Sequence, residues 1–249
     1  MGRSNQCGAK PGSLRANIRR WGWLRGLFSS IVTRAARYSG VHIHTVQACL
    51  LTENPQYPAA FSEFTFRQIQ PAELLKASED PELDLSRHFV RAAIDRGDLA
   101  FGAFAGNELA GYVWRALGSA PHIEGLWVKV DKPYNYTYKA FVHPNYRGRR
   151  ISPVLHLFSD VAMIGHNYKY RVGFVAVNNF SSLQACKHMG CETIGYAGYL
   201  HWFGRYFPFR TRAAGKIGFE FYELFRSASV KDNNELRHSA VADSAGDIK

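Results

Sequence analysis

The most informative stretch of the sequence is Val142-His143-Pro144-Asn145-Tyr146-Arg147-Gly148-Arg149-Arg150-Ile151-Ser152. It predicts the end of a β-strand, a basic turn that contains a glycine, and the start of a helix. Successive backbone N–H groups in such a turn, with the unpaired amides of the following helix, can hold an anion. Gly148 permits close approach to the backbone and the arginines add charge. The stretch therefore predicts either a pyrophosphate site or a helix start with solvated arginines.

A second motif begins 27 residues beyond Ser152, directly after the predicted strand 171–177. It is Asn179-Phe-Ser-Ser182-Leu-Gln-Ala-Cys186-Lys-His-Met-Gly190-Cys191. The two motifs together resemble the signature of the GNAT superfamily of N-acetyltransferases, V-x-P-x-[YF]-[RQ]-G-x-[GA]-[IL]-[GA] followed by N-x-x-[AS]-x-x-x-Y-x-x-x-G-F. The matching positions are Val142, Pro144, Tyr146, Arg147, Gly148, Ile151, Asn179, Ser182 and Gly190, and the resemblance covers residues 63–203.

The sequence departs from that signature at four positions. Arg150 and Ser152 replace small residues of the turn, Cys186 stands where the family has tyrosine, and Cys191 replaces the closing aromatic residue. The turn becomes stiffer and more cationic but keeps its backbone donors. Pyrophosphate binding is therefore still expected.

The resemblance implies transfer of an acetyl or longer acyl group from acyl-CoA to a primary amine, by direct attack in a ternary complex and without a metal. It implies that the backbone of Phe141 and Val142 holds the pantetheine and the thioester carbonyl. It also implies that Asn179 contacts the cofactor near the second helix. The pyrophosphate would be held by Arg147, Gly148, Arg149, Arg150, Ile151 and Ser152.

The catalytic roles are less constrained by the motifs. Cys186 occupies the general-acid position, and a thiol with an ordinary pKa of about 8.5 can protonate a leaving thiolate. A nucleophilic cysteine and a buried structural cysteine are the alternatives. Tyr138 stands on the strand that often carries the family's base, and Glu124, like Asp131, lies in the preceding loop. We therefore take Cys186, Tyr138 and Glu124 as the catalytic candidates.

Hydrophobic periodicity predicts helices inserted among mostly antiparallel strands, an α/β (mixed α+β) fold of the GNAT kind. Residues 118–133 are predicted to be largely loop. We divide the chain into a basic N-terminal extension (1–58), an acyltransferase-like domain (59–226) and a flexible C-terminal tail (227–249). Strands are predicted at 41–51, 64–69, 99–104, 109–116, 136–142, 171–177 and 193–203, and helices at 71–76, 85–96, 151–166 and 181–189.

The N-terminal extension carries much of the excess positive charge. The chain has 31 Lys+Arg, 20 Asp+Glu and a net charge of +11, and residues 1–52 contain eight Lys/Arg and no acid. Apolar residues recur at steps of three and four over residues 14–38, which predicts a basic amphipathic helix. Such a helix can pack on its own domain or lie on an anionic membrane. A mitochondrial transit peptide is a further alternative.

The remaining features limit compartment and partners. No uncharged apolar run is long enough to cross a membrane, which predicts a cytoplasmic protein that is either soluble or peripheral at the inner membrane surface. Four cysteines without a CxxC pair favour free thiols. We expect a small-molecule or lipid-linked amine acceptor, a homodimer if residues 193–203 form an exposed strand, and no nucleic acid. The rival hypothesis is a catalytically weak binding module that holds nucleic acid or phospholipid through its basic arm.

Overall fold

The computed structural model describes residues 18–19, 21–53 and 63–224. Over these residues the chain forms an eight-stranded sheet in the order β10-β9-β1-β8-β7-β4-β3-β2 and a three-stranded sheet in the order β11-β6-β5. The strands are β1 (Val41–Leu50), β2 (Thr65–Gln68), β3 (Leu99–Ala105), β4 (Glu108–Ala116), β5 (Ser119–Ile123), β6 (Leu126–Lys129), β7 (Tyr134–Val142), β8 (Tyr170–Ala176), β9 (Glu192–Trp202), β10 (Arg205–Arg210) and β11 (Glu220–Glu223).

Helices flank the large sheet. They are α1 (Trp23–Ser39), α2 (Pro71–Ala77), α3 (Arg87–Asp95), α4 (Ile151–Gly165), α5 (Phe180–His188) and α6 (Arg212–Lys216). Of the neighbouring strands in the large sheet, only β7 and β8 run parallel. The predicted architecture, a mixed and mostly antiparallel sheet flanked by helices, is therefore confirmed.

The two faces of the large sheet bury different layers, because successive strand residues point to opposite sides. On one face α4 packs on β3 and β4, with Ile151 and Leu155 against Phe101 and Val113. On the other face, α2 and α3 cover Tyr112 and Trp114. The three-stranded sheet covers the same face next to β1, β7 and β8.

The strand β1 lies in the middle of the large sheet. It is antiparallel to β8 on one side and to β9 on the other, and residues 44–49 are buried. The sequence predicts this strand but assigns it to the N-terminal extension. The assigned boundary at residue 58 places β1 in a different segment from β8 and β9, although β1 pairs with both in one sheet.

Three expectations are corrected by this topology. Residues 118–133 contain the hairpin β5–β6 rather than a loop, since β11 from the end of the chain pairs with β6. The strand β9 is not an exposed edge, because β1 and β10 pair with its two sides. The long helix predicted over residues 14–38 is interrupted at Gly22, whose φ of 83° is not helical. Residues 1–17, the linker at 54–58 and the tail at 227–249 lie outside the described residues.

The cysteines are also not all free. Cys49 of β1 and Cys191, next to β9, form a disulfide across 142 residues of sequence, and Cys186 is a free thiol. Antiparallel pairing of Ala48 with Glu192 brings the two cysteines together. Sequence spacing could not show this bond, because it follows from the insertion of β1 beside β9.

A buried histidine in β1 makes stability depend on pH. His44 packs among aromatic rings, including Phe174 at 5.0 Å and Phe221 at 5.6 Å between centroids. Burial, with a smaller effect of the neighbouring His122, lowers the pKa of His44 from 6.5 to about 3. Between these values the unfolded chain binds a proton that the folded chain does not. The stability contribution is thus complete above pH 6.5 and decreases as the pH falls.

We expect the His44→Phe variant to lose less stability on acidification than the parent. The parent should lose about 2 kcal/mol from this residue alone between pH 7.5 and 5, measured by urea unfolding at both values. His88→Gln on the exposed surface of α3 is the control and should behave as the parent does. An equal loss of stability in His44→Phe and the parent would contradict this assignment.

Candidate active site

The parallel strands β7 and β8 are paired only at their beginnings. The pairs are Tyr134 with Tyr170, Asn135 with Arg171, and Tyr136 with Val172. Beyond these pairs the strands separate, while β7 stays paired with β4 and β8 with β1 on their other sides. The facing edges of β7 and β8 therefore offer backbone groups to an extended ligand that carries amides. We call this gap the cleft.

Two local features accompany the separation. The register between β4 and β7 shifts between Val113 and Arg115, which pair with Ala140 and Thr137, so β7 contains one extra residue there. Such bulges bend a strand and redirect its side chains. On the opposite side, a Cβ at residue 173 would lie 3.3 Å from Thr137 Cγ2, so Gly173 leaves room for the side chain of Thr137.

A cavity of about 150 Å³ lies at the cleft. Side chains of α4 and α5 complete a lining that is otherwise formed by β1, β7 and β8. The lining residues are Gln47, Cys49, Thr137, Tyr138, Ala140, His156, Arg171, Gly173, Phe174, Val175, Cys186, Met189 and Cys191. The lining combines apolar and polar side chains, and a cavity of this size can hold a benzene-sized group.

The basic turn, residues 143–150, joins β7 to α4. Gly148 (φ 83°) and Arg150 (φ 58°) adopt left-handed backbone conformations. Among the described residues, no acceptor is hydrogen-bonded to the backbone N–H groups of residues 148–152. Five consecutive amides at the start of a 15-residue helix are thus available for an anion.

The side chains of the turn are only partly committed. Arg147 Nε donates to the carbonyl of Val142 at 3.2 Å. Arg149 forms an ion pair with Glu63 at 3.2 Å and lies over the ring of Tyr146. Arg150 is exposed and has no ion pair among the described residues. In contrast, the side chain of Ile151 is buried in the core, so only its backbone faces the site.

The second motif starts α5 at the C-terminal end of β8. Asn179 Oδ1 accepts from the backbone N–H of Ser182 at 3.2 Å and from Ser181 Oγ at 3.0 Å, so it caps the helix. Because β7 and β8 are parallel, the N-termini of α4 and α5 lie at the same edge of the sheet. The structure therefore brings both motifs to the open end of the cleft.

A buried charge network lies at the closed end of the cleft. The two oxygens of Asp160 accept from Arg115 and from Arg171, and all three residues are at most 3% exposed. Burial lowers the pKa of Arg115 to about 10, which leaves it charged at neutral pH. Burial, with the two arginines, lowers the pKa of His156 well below 6.5. The network therefore carries one unbalanced positive charge.

Asn135 connects this network to the strand pair. Its Oδ1 accepts from Arg115 at 3.2 Å, and its Nδ2 donates to the carbonyl of Tyr170 at 2.8 Å. Asn135 and Arg171 are themselves opposite each other in the parallel pair. The network thus joins β7 and β8 one residue before they separate.

The three catalytic candidates occupy different places. Cys186 lines the cavity from α5, and burial, opposed by the charge of Arg171, raises the pKa of its thiol. Tyr138 also lines the cavity, and its hydroxyl donates to Asp98 Oδ2 at 2.8 Å. Glu124 is exposed in the turn between β5 and β6 and is not part of the lining. The structure therefore brings Cys186 and Tyr138 together and leaves Glu124 outside.

Several residues of the site are absent from the sequence prediction. Burial raises the pKa of Asp98, which Arg96 also contacts at 2.7 Å. Burial, followed by the neighbouring Asp98, raises the pKa of Tyr138, so this phenol stays protonated at neutral pH. Gln47, His156 and Arg171 line the cavity from three separate elements. Of these residues, only Arg171 could have been found from the sequence, because it is a charged residue in an otherwise apolar strand.

No protein-family model and no curated protein sequence matches the chain. Solved structures do match it. A putative GNAT-family acetyltransferase from Novosphingobium aromaticivorans matches at 12% identity and a TM-score of 0.43, over 61% of this chain and 60% of that one. A tandem GNAT protein from the clavulanic acid biosynthesis pathway matches at 19% and 0.44, over 78% and 59%. A GCN5-related N-acetyltransferase from Sphaerobacter thermophilus matches at 11% and 0.44, over 78% and 56%.

These are acetyltransferases of the GNAT family. It is the family that the two sequence motifs resemble. In this chain the first motif forms the basic turn and the start of α4, and the second motif forms α5. The chain spans less than two thirds of the length of each of these three structures.

Replacing Gly148 tests the anion site in the basic turn. Asn and Asp both tolerate a left-handed backbone better than other residues, so Gly148→Asn and Gly148→Asp differ mainly in charge. We expect Gly148→Asp to weaken binding of CoA at least about tenfold relative to Gly148→Asn, because a carboxylate would face the bound phosphates. Isothermal titration with CoA measures both affinities. Equal affinities would show that the amides of this turn do not hold the phosphates.

Replacing Asp160 tests the buried charge network. Asp160→Asn would leave two buried guanidinium groups without a counter-charge, and removal of one partner from a buried pair costs about 3–5 kcal/mol. We expect the free energy of unfolding to fall by that amount in guanidinium titrations. Asp95→Asn on α3 is the matched control, since Asp95 lies outside the network. A loss as small as that of the control would mean that the network contributes little to stability.

Proposed function

We propose that this protein is an acyl-CoA-dependent N-acyltransferase that transfers an acetyl or longer acyl group to a primary amine by direct attack in a ternary complex. The observation that carries the proposal is the cleft, in which two parallel strands separate and expose their inner edges. The N-termini of α4 and α5 and the five unpaired amides of residues 148–152 lie at the open end of this cleft. An extended molecule with amide groups at one end and phosphates at the other is complementary to that arrangement.

Each part of the acyl-CoA donor would contact a different part of the site. The backbone of β7 at Phe141 and Val142 would contact the pantetheine arm, and the carbonyl of Val142, which accepts from Arg147, would have to be shared or released. The amides of residues 148–152 and the exposed guanidinium of Arg150 would hold the pyrophosphate. The thioester end would then reach the cavity between Tyr138 and Cys186.

The cavity also bears on the length of the acyl group. Its volume of about 150 Å³ exceeds what an acetyl group requires, and Ala140, Phe174 and Met189 supply an apolar lining. We therefore include donors longer than acetyl-CoA.

Cys186 is proposed as the acid that protonates the leaving thiolate. Its raised pKa keeps the thiol protonated at neutral pH, which suits a proton donor and does not suit a thiolate nucleophile. When the amine attacks the carbonyl carbon and the C–S bond breaks, the thiol proton passes to the sulfur of CoA. Solvent then restores the proton of Cys186.

Tyr138 and Asp98 are proposed to remove the proton from the attacking amine. A protonated phenol cannot take up a proton unless it gives its own away, and Asp98 already accepts the hydrogen bond from Tyr138. As the proton of the amine moves to the phenol oxygen, the phenol proton would move to Asp98. The raised pKa of Asp98 makes it a better acceptor than an exposed carboxylate.

Thermal unfolding with acyl-CoA ligands tests the function. A ligand at about one hundred times its dissociation constant stabilises the folded state by about 2.7 kcal/mol, a readily measured increase in Tm. We expect acetyl-, butyryl- or hexanoyl-CoA to raise Tm, and we expect a clearly smaller increase in Gly148→Asp than in Gly148→Asn. The absence of any increase with all three would remove the enzyme proposal and favour the binding module that holds an anionic partner.

Replacing Cys186 separates its three roles. As a general acid, its loss in Cys186→Ala should lower kcat by roughly 10²-fold or more with little change in the KM for acyl-CoA. Gln184→Ala, on the exposed side of α5, is the control. Intact-mass spectrometry with donor alone should show no acylated protein. A thioester on Cys186 would instead make it a nucleophile, and an unchanged kcat would make it structural.

A further inference from the structure

The helix α1 exposes its large apolar residues to solvent. At 3.6 residues per turn, residues at positions 24, 27, 28, 31 and 38 lie along one side of the helix. They are exposed in the structure: Leu24 by 68%, Leu27 by 40%, Phe28 by 44%, Ile31 by 57% and Tyr38 by 78%. The helix therefore carries an apolar outer face.

The opposite side of α1 packs on the protein with small residues. Gly26 and Ser29 are buried, and Thr33 is half-buried. Thr33 Oγ1 accepts from Asn178 Nδ2 at 3.0 Å, just beyond β8. A helix that was stabilised only by its own domain would bury Leu24 and Ile31 and expose the serine and threonine side chains. The helix therefore packs on the protein with its small residues and leaves its large apolar residues exposed.

Arginines surround the outer face without any acidic residue. Arg19, Arg25, Arg34 and Arg37 are exposed, and the first acidic residue of the chain is Glu53. A second copy of the chain on a two-fold axis would bring these arginines towards one another. An anionic lipid surface would instead bury the apolar face among acyl chains and neutralise the arginines at the headgroups.

Aromatic residues extend the exposed surface beyond the end of α1. The carbonyl of Gly40, which follows the helix, accepts from the backbone N–H of His201 at 2.9 Å. The next residues, Trp202 and Phe203, are 51% and 90% exposed in the turn between β9 and β10. Tryptophan and tyrosine are enriched at the interface between lipid and water. Among the described residues, no helix is both long and apolar enough to cross a bilayer.

We infer that α1 is a docking face for an anionic lipid surface, on which it lies with Leu24, Leu27, Phe28 and Ile31 towards the acyl chains. The ring centroid of Phe180, the first residue of α5, lies 6.3 Å from that of Phe28 in α1 and 5.8 Å from that of Trp21, which precedes α1. Docking would hold the open end of the cleft beside the membrane. The inference goes beyond the proposed function, because it concerns the surface at which the protein works and not the reaction.

Vesicle co-sedimentation of the full chain tests the inference. We expect binding to phosphatidylcholine vesicles with about 30 mol% phosphatidylglycerol and weak binding to phosphatidylcholine alone, since arginines contribute through anionic headgroups. The double variant Leu24→Asp/Ile31→Asp should lower the partition coefficient at least about tenfold. Arg34→Glu/Arg37→Glu should lower binding to the anionic vesicles only. Leu50→Asp is the matched control, because Leu50 is also 68% exposed but lies at the far end of β1.

Each outcome decides the inference. Loss of binding in the α1 variants, with binding retained in Leu50→Asp, supports it. Failure of the parent to bind either kind of vesicle overturns it, as does equal binding of the parent and Leu24→Asp/Ile31→Asp. A parent dimer that this variant converts to a monomer, without vesicle binding, would make the outer face a self-association surface. Because no acyl-CoA is present, these results do not depend on the proposed activity.

Discussion

The shared carboxylate of Asp160 is the interaction on which the cleft depends. Arg115 on β4 and Arg171 on β8 are both buried, and each would be costly in the core without a counter-charge. Asp160 on α4 satisfies both, and Asn135 links Arg115 to β7 and to the backbone of β8. One polar network therefore holds three strands, β4, β7 and β8, and the helix α4 together. The network joins β7 and β8 at Asn135 and Arg171, and the two strands separate after the next pair of residues.

The insertion of β1 stabilises β8, which forms one side of the cleft. β8 would otherwise end the central part of the sheet, with an unpaired edge on the side away from β7. Pairing with β1 over residues 44–50 satisfies that edge, and the disulfide between Cys49 and Cys191 ties β1 to the segment that follows α5. Ligand contacts with the inner edge of β8 then need no movement of the strand. Such pre-organisation reduces the ordering cost of binding.

The sequence predicts the local elements well because their signals are local. The strand before Pro144, the glycine of the basic turn and the helix at 181–189 each depend on signals within a few residues, and the structure has all three. What the sequence could not show is set by contacts between distant segments. The place of β1 depends on β8 and β9, the hairpin β5–β6 depends on β11, and the cavity combines residues from β1, β7, β8 and two helices. Glu124 is near Tyr138 only in sequence, whereas Asp98 reaches Tyr138 because β3 pairs with β4 and β4 pairs with β7.

Two opposing electrostatic effects act on the thiol of Cys186. Burial disfavours the thiolate, and the charge of Arg171 favours it, with burial as the larger effect. The thiol is therefore protonated at rest, yet the charge that would stabilise it after proton release is already in place. Arg171 shares the one carboxylate of Asp160 with Arg115, so the network holds two positive charges against one negative charge. Arg171 thus has two roles, because it belongs to the network at the closed end of the cleft and also favours the thiolate of the proposed proton donor.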